Sequence, residues 1–297
     1  MRKLVLLLLL GWVFPVCSQE SVPVMVSTEW LADHVADKDV VLVDMSSEDT
    51  QYARFHLPGA IRLPYYTLLL RPKKGEQFSR RISNRALAYN LGVMGISQSD
   101  HVVIYDDMGG LEAGRLFWHL EQLGHPRVSV LDGGLVKWIL EGRKVSNADA
   151  KRSPVNYGPL TRSRDNETTL EDIDSIAKNR SARIVDVRSM EEYTGDEKRK
   201  QGGHIAGAAW WEWDQALDFK GGFRLVQNET LRQLLAQKGI EDKTQPLVTY
   251  CQSGHRAAHT YLVLRHLGFE NVRLYPNSMK EYGSVRGKKL VRGGKPG

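Results

Sequence analysis

The chain has 297 residues, of which 41% are hydrophobic and 26% charged, so it holds enough apolar material for one large or two medium globular domains, and disorder is not the expected state. Its formal charge of +6 is largely terminal, with Arg2 and Lys3 at one end and Arg286, Lys288, Lys289, Arg292 and Lys295 at the other. No sustained basic face with interleaved aromatics is present, so nucleic acid is not an expected partner, small anions remain welcome ones, and the tail over 287–297 reads as a solvated end.

Residues 1–18 read as a secretory signal: Met1-Arg2-Lys3 supplies positive charge, an apolar run extends from Leu4 to Phe14, and Pro15 breaks it. The run is too short to span a bilayer. A cut after Ser18 would start the mature chain at Gln19 and send it to an oxidising compartment, expected to be the periplasm. A lipoprotein cut before Cys17 is disfavoured by the bulky Val16. The sequence has two cysteines, so loss of Cys17 leaves Cys251 alone and without an internal disulfide partner. Taken by itself, such a cysteine is as readily a buried small hydrophobe as a reactive thiol.

Beyond the leader the chain repeats itself at an offset of about 145 residues, the separation of Asp106 and Cys251, which suits a duplicated domain. Val41-Leu42-Val43-Asp44 answers Arg183-Ile184-Val185-Asp186, and His56-Leu57-Pro58-Gly59-Ala60 answers His204-Ile205-Ala206-Gly207-Ala208. Val102-Val103-Ile104-Tyr105-Asp106 matches Leu247-Val248-Thr249-Tyr250-Cys251, Leu123-Gly124 matches Leu267-Gly268, and Trp138 matches Tyr282. The expected units are a first domain over 22–148, a polar linker over 149–167 and a second domain over 168–286. In each half, short β-branched runs alternate with helical stretches, so each is an α/β unit with a parallel sheet covered by helices on both faces. The clearest helices are 231–238 and 256–266, the latter with Ala257, Tyr261 and Leu264 on one face and a stop at Gly268.

Cys251 falls where the strand 247–250 ends, just before a helix opening near Arg256, at the carboxyl edge of a parallel sheet where sites in open α/β folds gather. Gln252-Ser253-Gly254-His255 must turn sharply, and Gly254 permits backbone angles closed to other residues. Free N–H groups and the dipole at a helix start favour anions, and with Arg256 and His255 nearby they favour the thiolate. Cys251 is therefore a candidate nucleophile beside an anion site.

The segment Tyr250-Cys251-Gln252-Ser253-Gly254-His255-Arg256 resembles the active-site loop of rhodaneses, the thiosulfate sulfurtransferases. Asp186-Val187-Arg188 with Glu191-Glu192-Tyr193 and Gly195, Gly203 to Ala208, and Asp132-Gly133-Gly134 with Trp138 resemble further motifs of that family, in the same order. The resemblance implies tandem rhodanese domains of which only the second is catalytic. Asp106 stands where Cys251 stands in the other half, and a carboxylate cannot carry a persulfide; Asp106-Asp107-Met108-Gly109-Gly110 resembles the inactive first domains of two-domain members. An acid/base or metal role for Asp106 and Asp107 is disfavoured, because adjacent loop carboxylates are usually solvated.

The activity so implied is sulfur transfer without a cofactor. The Cys251 thiolate attacks the outer sulfur of a donor such as thiosulfate, sulfite leaves, and the persulfide passes sulfur to cyanide or a thiol acceptor. Gln252, Ser253, Gly254, His255 and Arg256 are expected to hold the persulfide and donor, with Arg188 as the first candidate cation for the anionic donor and Arg256 as the second. Structural ion pairs remain the alternative reading of both arginines. Asp186 and His204 are expected to support the loop and not to react. A rhodanese-fold phosphatase resembles a pattern of cysteine, five residues and arginine; here four residues separate Cys251 from Arg256. Cys251, His255 and His259 are spaced four apart, but a lone strand-end cysteine seldom completes a tetrahedral metal site. The basic loop favours thiosulfate over 3-mercaptopyruvate, as does Glu192, which stands where some two-domain members of the family, mercaptopyruvate enzymes among them, place an arginine. A non-catalytic persulfide carrier or redox sensor is the remaining alternative.

Overall fold

The computed structural model describes residues 22–160, 164–195 and 202–295. The expected leader, with Cys17, lies outside them. The first half opens with β1 (Met25–Val26), α1 (Thr28–His34), β2 (Val40–Asp44), α2 (Asp49–Arg54) and β3 (Ile61–Arg62). A ribbon of β4 (Leu69–Leu70) against β5 (Arg80–Arg81) leads to α3 (Asn84–Val93), β6 (His101–Tyr105), α4 (Ala113–Leu123), β7 (Val128–Leu131) and α5 (Gly134–Leu140). The second half repeats the plan with α6 (Leu170–Asn179), β8 (Arg183–Asp186), α7 (Met190–Thr194), β9 (Ala209–Trp210) and a ribbon of β10 (Leu217–Asp218) and β11 (Arg224–Leu225). It closes with α8 (Asn228–Ala236), β12 (Leu247–Tyr250), α9 (His255–His266), β13 (Val272–Leu274) and α10 (Ser278–Tyr282).

Both main sheets are parallel and share one strand order. In the first it is β1-β7-β6-β2-β3; in the second it is β13-β12-β8-β9, with Glu167 bridging in parallel to Leu274 where β1 would lie. The strands have period-two alternation, and the two faces go to different cores. Leu42, Val103 and Tyr105 pack outward on Leu31, Leu135 and Trp138, while Ile184, Val248 and Tyr250 pack outward on Ile173, Ile176, Met279 and Tyr282. The inward faces, with Val41, Val43, Val102 and Ile104 from one sheet and Val185 and Leu247 from the other, meet α3, α4, α8 and α9 in a single core that runs through both halves.

Three expectations change on contact with this architecture. Helix α9 is buried on every side from Ala257 to Leu264, because α4 covers the face that would otherwise meet water. The described residues of the segment read as a linker are docked: Tyr157 is buried against His125, Val155 N–H donates to Gly92 O, and Asn166 bonds both Trp118 and Tyr261. The tail keeps Lys289, Arg292 and Lys295 in solvent as expected, but its backbone is not free. Val291 forms an antiparallel bridge with His204, Lys288 pairs with Asp174, and the His204 ring reaches Lys295 O, just as His56 in the first half bridges Ser146 and reaches Ala148 O. The backbone carrying these cations therefore belongs to the second domain.

Candidate active site

Cys251 is the first residue after the central strand β12, between β13 and β8, and its side chain is 1% exposed. Its N–H donates to Ser278 Oγ at 3.0 Å, whose hydroxyl donates on to Tyr275 O at 2.8 Å. Its carbonyl accepts from Met279 N–H at 3.1 Å, and that of Gln252 accepts from Lys280 N–H at 2.9 Å. The loop is thus pinned to α10 on one side. Its other end is Gly254, at φ 79°, where an added Cβ would lie 2.2 Å from Pro276 O; only glycine fits this turn. The helical ladder begins with Ala258 N–H donating to Gly254 O, so the N–H groups of His255, Arg256 and Ala257 precede it at the helix's positive end, which favours anions.

The corresponding loop of the first half displays what such a cradle holds. Asp106 is 1% exposed and accepts four backbone hydrogen bonds, from Met108 (3.0 Å), Gly110 (2.8 Å), Glu112 (2.7 Å) and Ala113 (2.9 Å). The expectation of solvated loop carboxylates fails here for that reason. Burial pushes the Asp106 carboxyl up to about 6 against the pull of those donors. Asp107 parts from it and accepts from Ser47 N–H and Oγ–H. In this half α4 starts seven residues after Asp106, whereas α9 starts four after Cys251, so the loop around the thiol is the tighter of the two.

The structure corrects the expected role of Arg188. Its guanidinium is 1% exposed and held inside the domain, with Nε to Asp186 Oδ1 at 2.9 Å and Nη2 to Asp186 Oδ2 at 2.6 Å and Gly203 O at 2.7 Å. Tyr250 Oη donates to the same carboxylate at 2.6 Å and accepts from Ile205 N–H. Arg188 is a brace beneath the strand ends, with Nε and Nη2 committed to Asp186 and Gly203 O. His204 is equally internal: its ring stacks on Tyr193 at 3.8 Å and its Nδ1 lies 2.9 Å from Tyr193 O. Tyr52 and His56 repeat the same pair in the first half at 3.9 Å.

Arg256 stands closer to the thiol, but Glu192 grips it with two bonds, Nη1 to Oε2 at 2.7 Å and Nη2 to Oε1 at 3.0 Å. Burial lowers its affinity for its proton, and the Glu192 bond and the Cys251 and Glu192 charges more than reverse that. Ser253 and His255 line a cavity of about 150 Å³ together with Asn277 and Lys280 and, from the first half, Tyr65, Leu69, Phe78 and Ser79. The His255 ring lies 4.6 Å from that of Tyr65, and its Nε2 sits 3.1 Å from Glu112 Oε2 without the alignment of a hydrogen bond. His259 turns the other way, to Gly109 O at 3.1 Å. Sequence reasoning missed Lys280, Tyr65, Ser278 and Arg115, whose Nη1 reaches Gly254 O at 3.4 Å; only folding brings them to the loop.

Two similar parallel-sheet domains, one with a thiol and one with a carboxylate in an amide-lined loop at the sheet's carboxyl edge, define a tandem α/β sulfurtransferase architecture. The Rhodanese-like domain family matches residues 27–141 and 169–284, and the chain belongs to that family. It is 32% identical over 285 residues to a Mycobacterium tuberculosis (strain CDC 1551 / Oshkosh) protein named "Putative thiosulfate sulfurtransferase", covering 91% of this chain and 98% of that one. A Saccharopolyspora erythraea protein of the same name is 30% identical over 276 residues, covering 89% and 94%. Among solved structures, the 3-mercaptopyruvate sulfotransferase SseA from Escherichia coli matches with a TM-score of 0.75 at 22% identity, over 86% of this chain and 99% of that one. The anaerobic ergothioneine biosynthesis enzyme from Chlorobium limicola matches with a TM-score of 0.79 at 20% identity, over 91% and 70%. These two likenesses concern the fold. The relatives make the chain a sulfurtransferase of the rhodanese family in general terms.

Proposed function

We propose that this sulfurtransferase takes sulfane sulfur from thiosulfate and carries it as a persulfide on Cys251 to cyanide or a thiol acceptor. The observation that supports this most is the Asp106 carboxylate held by four amides: one half fills its cradle with a side-chain carboxylate, and the other half offers a thiol at the same place. A persulfide is the anion a thiol can acquire and release. Cys251 is the nucleophile; the loop from Gln252 to Arg256 surrounds the terminal sulfur; Ser253, His255 and Lys280 line the approach for the donor. Asp186, Arg188, Tyr250 and His204 keep the strand ends in register beneath it. Residues 1–18 support export, to the periplasm, as part of the same reading.

Arg256 bears on the choice of donor. Glu192 occupies both prongs of its guanidinium, so an organic carboxylate would have to displace a bidentate ion pair, whereas thiosulfate needs only diffuse positive potential. Steady-state rates with thiosulfate and with 3-mercaptopyruvate, using cyanide as acceptor, test the donor, and mass spectrometry of Cys251 tests the carrier. The expected result is thiocyanate from thiosulfate, one added sulfur on the protein, and loss of both in Cys251→Ser. If neither donor supports transfer and Cys251→Ser changes nothing, the reading is wrong.

A further inference from the structure

Arg115 lies in the first turn of α4, in the half that has no cysteine. It is 1% exposed, and among the described residues no carboxylate lies within ion-pair distance of it. Its hydrogen bonds are long, Nε to His119 Nε2 and Nη1 to Gly254 O, both at 3.4 Å, and its guanidinium lies over the Trp118 ring at 4.9 Å. A buried charge without a counter-charge is strongly unfavourable, so packing alone gives no reason to keep it. The opposite helix makes the comparison. His259 stands eight residues before the Leu267-Gly268 pair that ends α9, as Arg115 stands eight before Leu123-Gly124 (267 − 259 and 123 − 115). Across the α4/α9 contact the two exchange bonds: Arg115 reaches the loop of Cys251 at Gly254 O, and His259 reaches the loop of Asp106 at Gly109 O. Burial holds the His259 ring down at about 4, hence neutral. The loop that already contains an anion faces a neutral ring, and the loop that contains a thiol faces a cation. Burial also lowers Arg115 below the ordinary arginine value, opposed only in part by negative charge at Cys251 and at the more distant Glu167 carboxylate.

Resting on the sulfur-transfer reading, we propose that Arg115 is the counter-charge for sulfur bound at Cys251, a positioning residue lent by the first domain that stabilises the persulfide anion through the Gly254 loop. In the loading step the thiolate electron pair forms a bond to the outer sulfur of thiosulfate as that sulfur's bond to the sulfite sulfur breaks. Sulfite leaves with the bonding pair, and one negative charge moves from the cysteine sulfur to the terminal sulfur. The net charge at Cys251 is unchanged but lies one bond deeper in the loop, where a fixed cation lowers its energy without reorganising.

The test uses the full chain as wild type, Arg115→Met and Arg115→Lys, loaded with thiosulfate and read by the rate at which Cys251 gains one sulfur and by the thermal midpoint before and after loading. Arg115→Met is expected to load about 10- to 100-fold more slowly. Arg115→Lys should recover most of that rate. Unloaded Arg115→Met should melt no lower than wild type, since an uncompensated charge has gone. Loading should raise the midpoint of the wild type and not of Arg115→Met. A purely structural arginine would give the reverse, a lower midpoint with normal loading per folded molecule, and that result overturns the inference. Should Arg115→Met not fold, Arg115→Gln decides by the same readings. If the wild type itself gains no sulfur, the sulfur-transfer reading falls, which is distinct from a wild type that loads alongside an unaffected Arg115→Met.

Discussion

Gly254 is confined from two directions, with an added Cβ falling 2.2 Å from Pro276 O and 2.8 Å from Arg115 Nη1, at a φ of 79°. A methyl group there must displace backbone or push the guanidinium away, so Gly254→Ala is expected to load sulfur about 100-fold more slowly, as misplacement of a site by an ångström does. Quenched loading kinetics beside a denaturation curve would check this, and an Ala variant with the wild-type rate would refute the tight-loop account. Residues of this kind were legible in the sequence because their job is local: Cys251, Gly254 and the helix start are consecutive, and strand, turn and helix physics place them together. Arg188 was not, because its partner Asp186 is two residues away and wins the contest for the guanidinium that a free ligand would have to enter. Arg115 was illegible for the opposite reason: it reaches Gly254 from far away in the chain, and nothing in its own segment signals that contact.

At the level of elements, the α4/α9 contact decides the geometry of the site. Gly114 lets the helices meet at backbone distance, since a Cβ there would fall 3.0 Å from Ala258 O and 3.0 Å from His259 Cα. Neither of those atoms can swing aside as a flexible side chain would. Gly114→Val is therefore expected to cost about 1–3 kcal/mol of stability by overpacking and to slow sulfur loading as α4 withdraws Arg115 from the loop. Urea unfolding and loading rate measured on one preparation would check both, and stability falling with no change in loading would separate the helix contact from the site. Strands and helices were recoverable from the repeat because each β-branched run recurs with its turn. What alternation and helical periodicity could not supply was the second neighbour of α9, a helix whose every side is apolar enough to be buried. The tail misled in a similar way: its lysines and arginines mark solvent, yet the backbone between them pairs with His204.

For the molecule as a whole, one core passes through both domains, so the seams between parts are where solution conditions act. Three buried histidines sit on those seams. His101 meets Ser129 across β6 and β7 at 2.8 Å, His125 receives the linker through Tyr157 Oη at 2.7 Å, and His259 joins α9 to the Gly109 turn at 3.1 Å. Burial holds each down to about 4 from the ordinary 6.5. A depressed folded value means the unfolded chain binds the proton first, so the stability tied to each ring is full above about 6.5 and is lost as pH falls toward 4. Each can contribute a slope of up to about 1.4 kcal/mol per pH unit in that window. Asp106 works in the opposite sense, since its raised value near 6 gives stability present below about 4 and lost as pH rises through 6. Burial also holds His119 and His266 down and Asp132 and Glu212 up, so five lowered imidazoles stand against three raised carboxyls and leave a net loss on acidification. The urea midpoint is expected to fall steadily from pH 6.5 to 4.5, and less steeply in His259→Gln, whose amide can still donate to Gly109 O without taking a charge. A midpoint that stays level or rises over that range would mean that the rings are hydrated when protonated, and the seams would then be looser than their burial indicates.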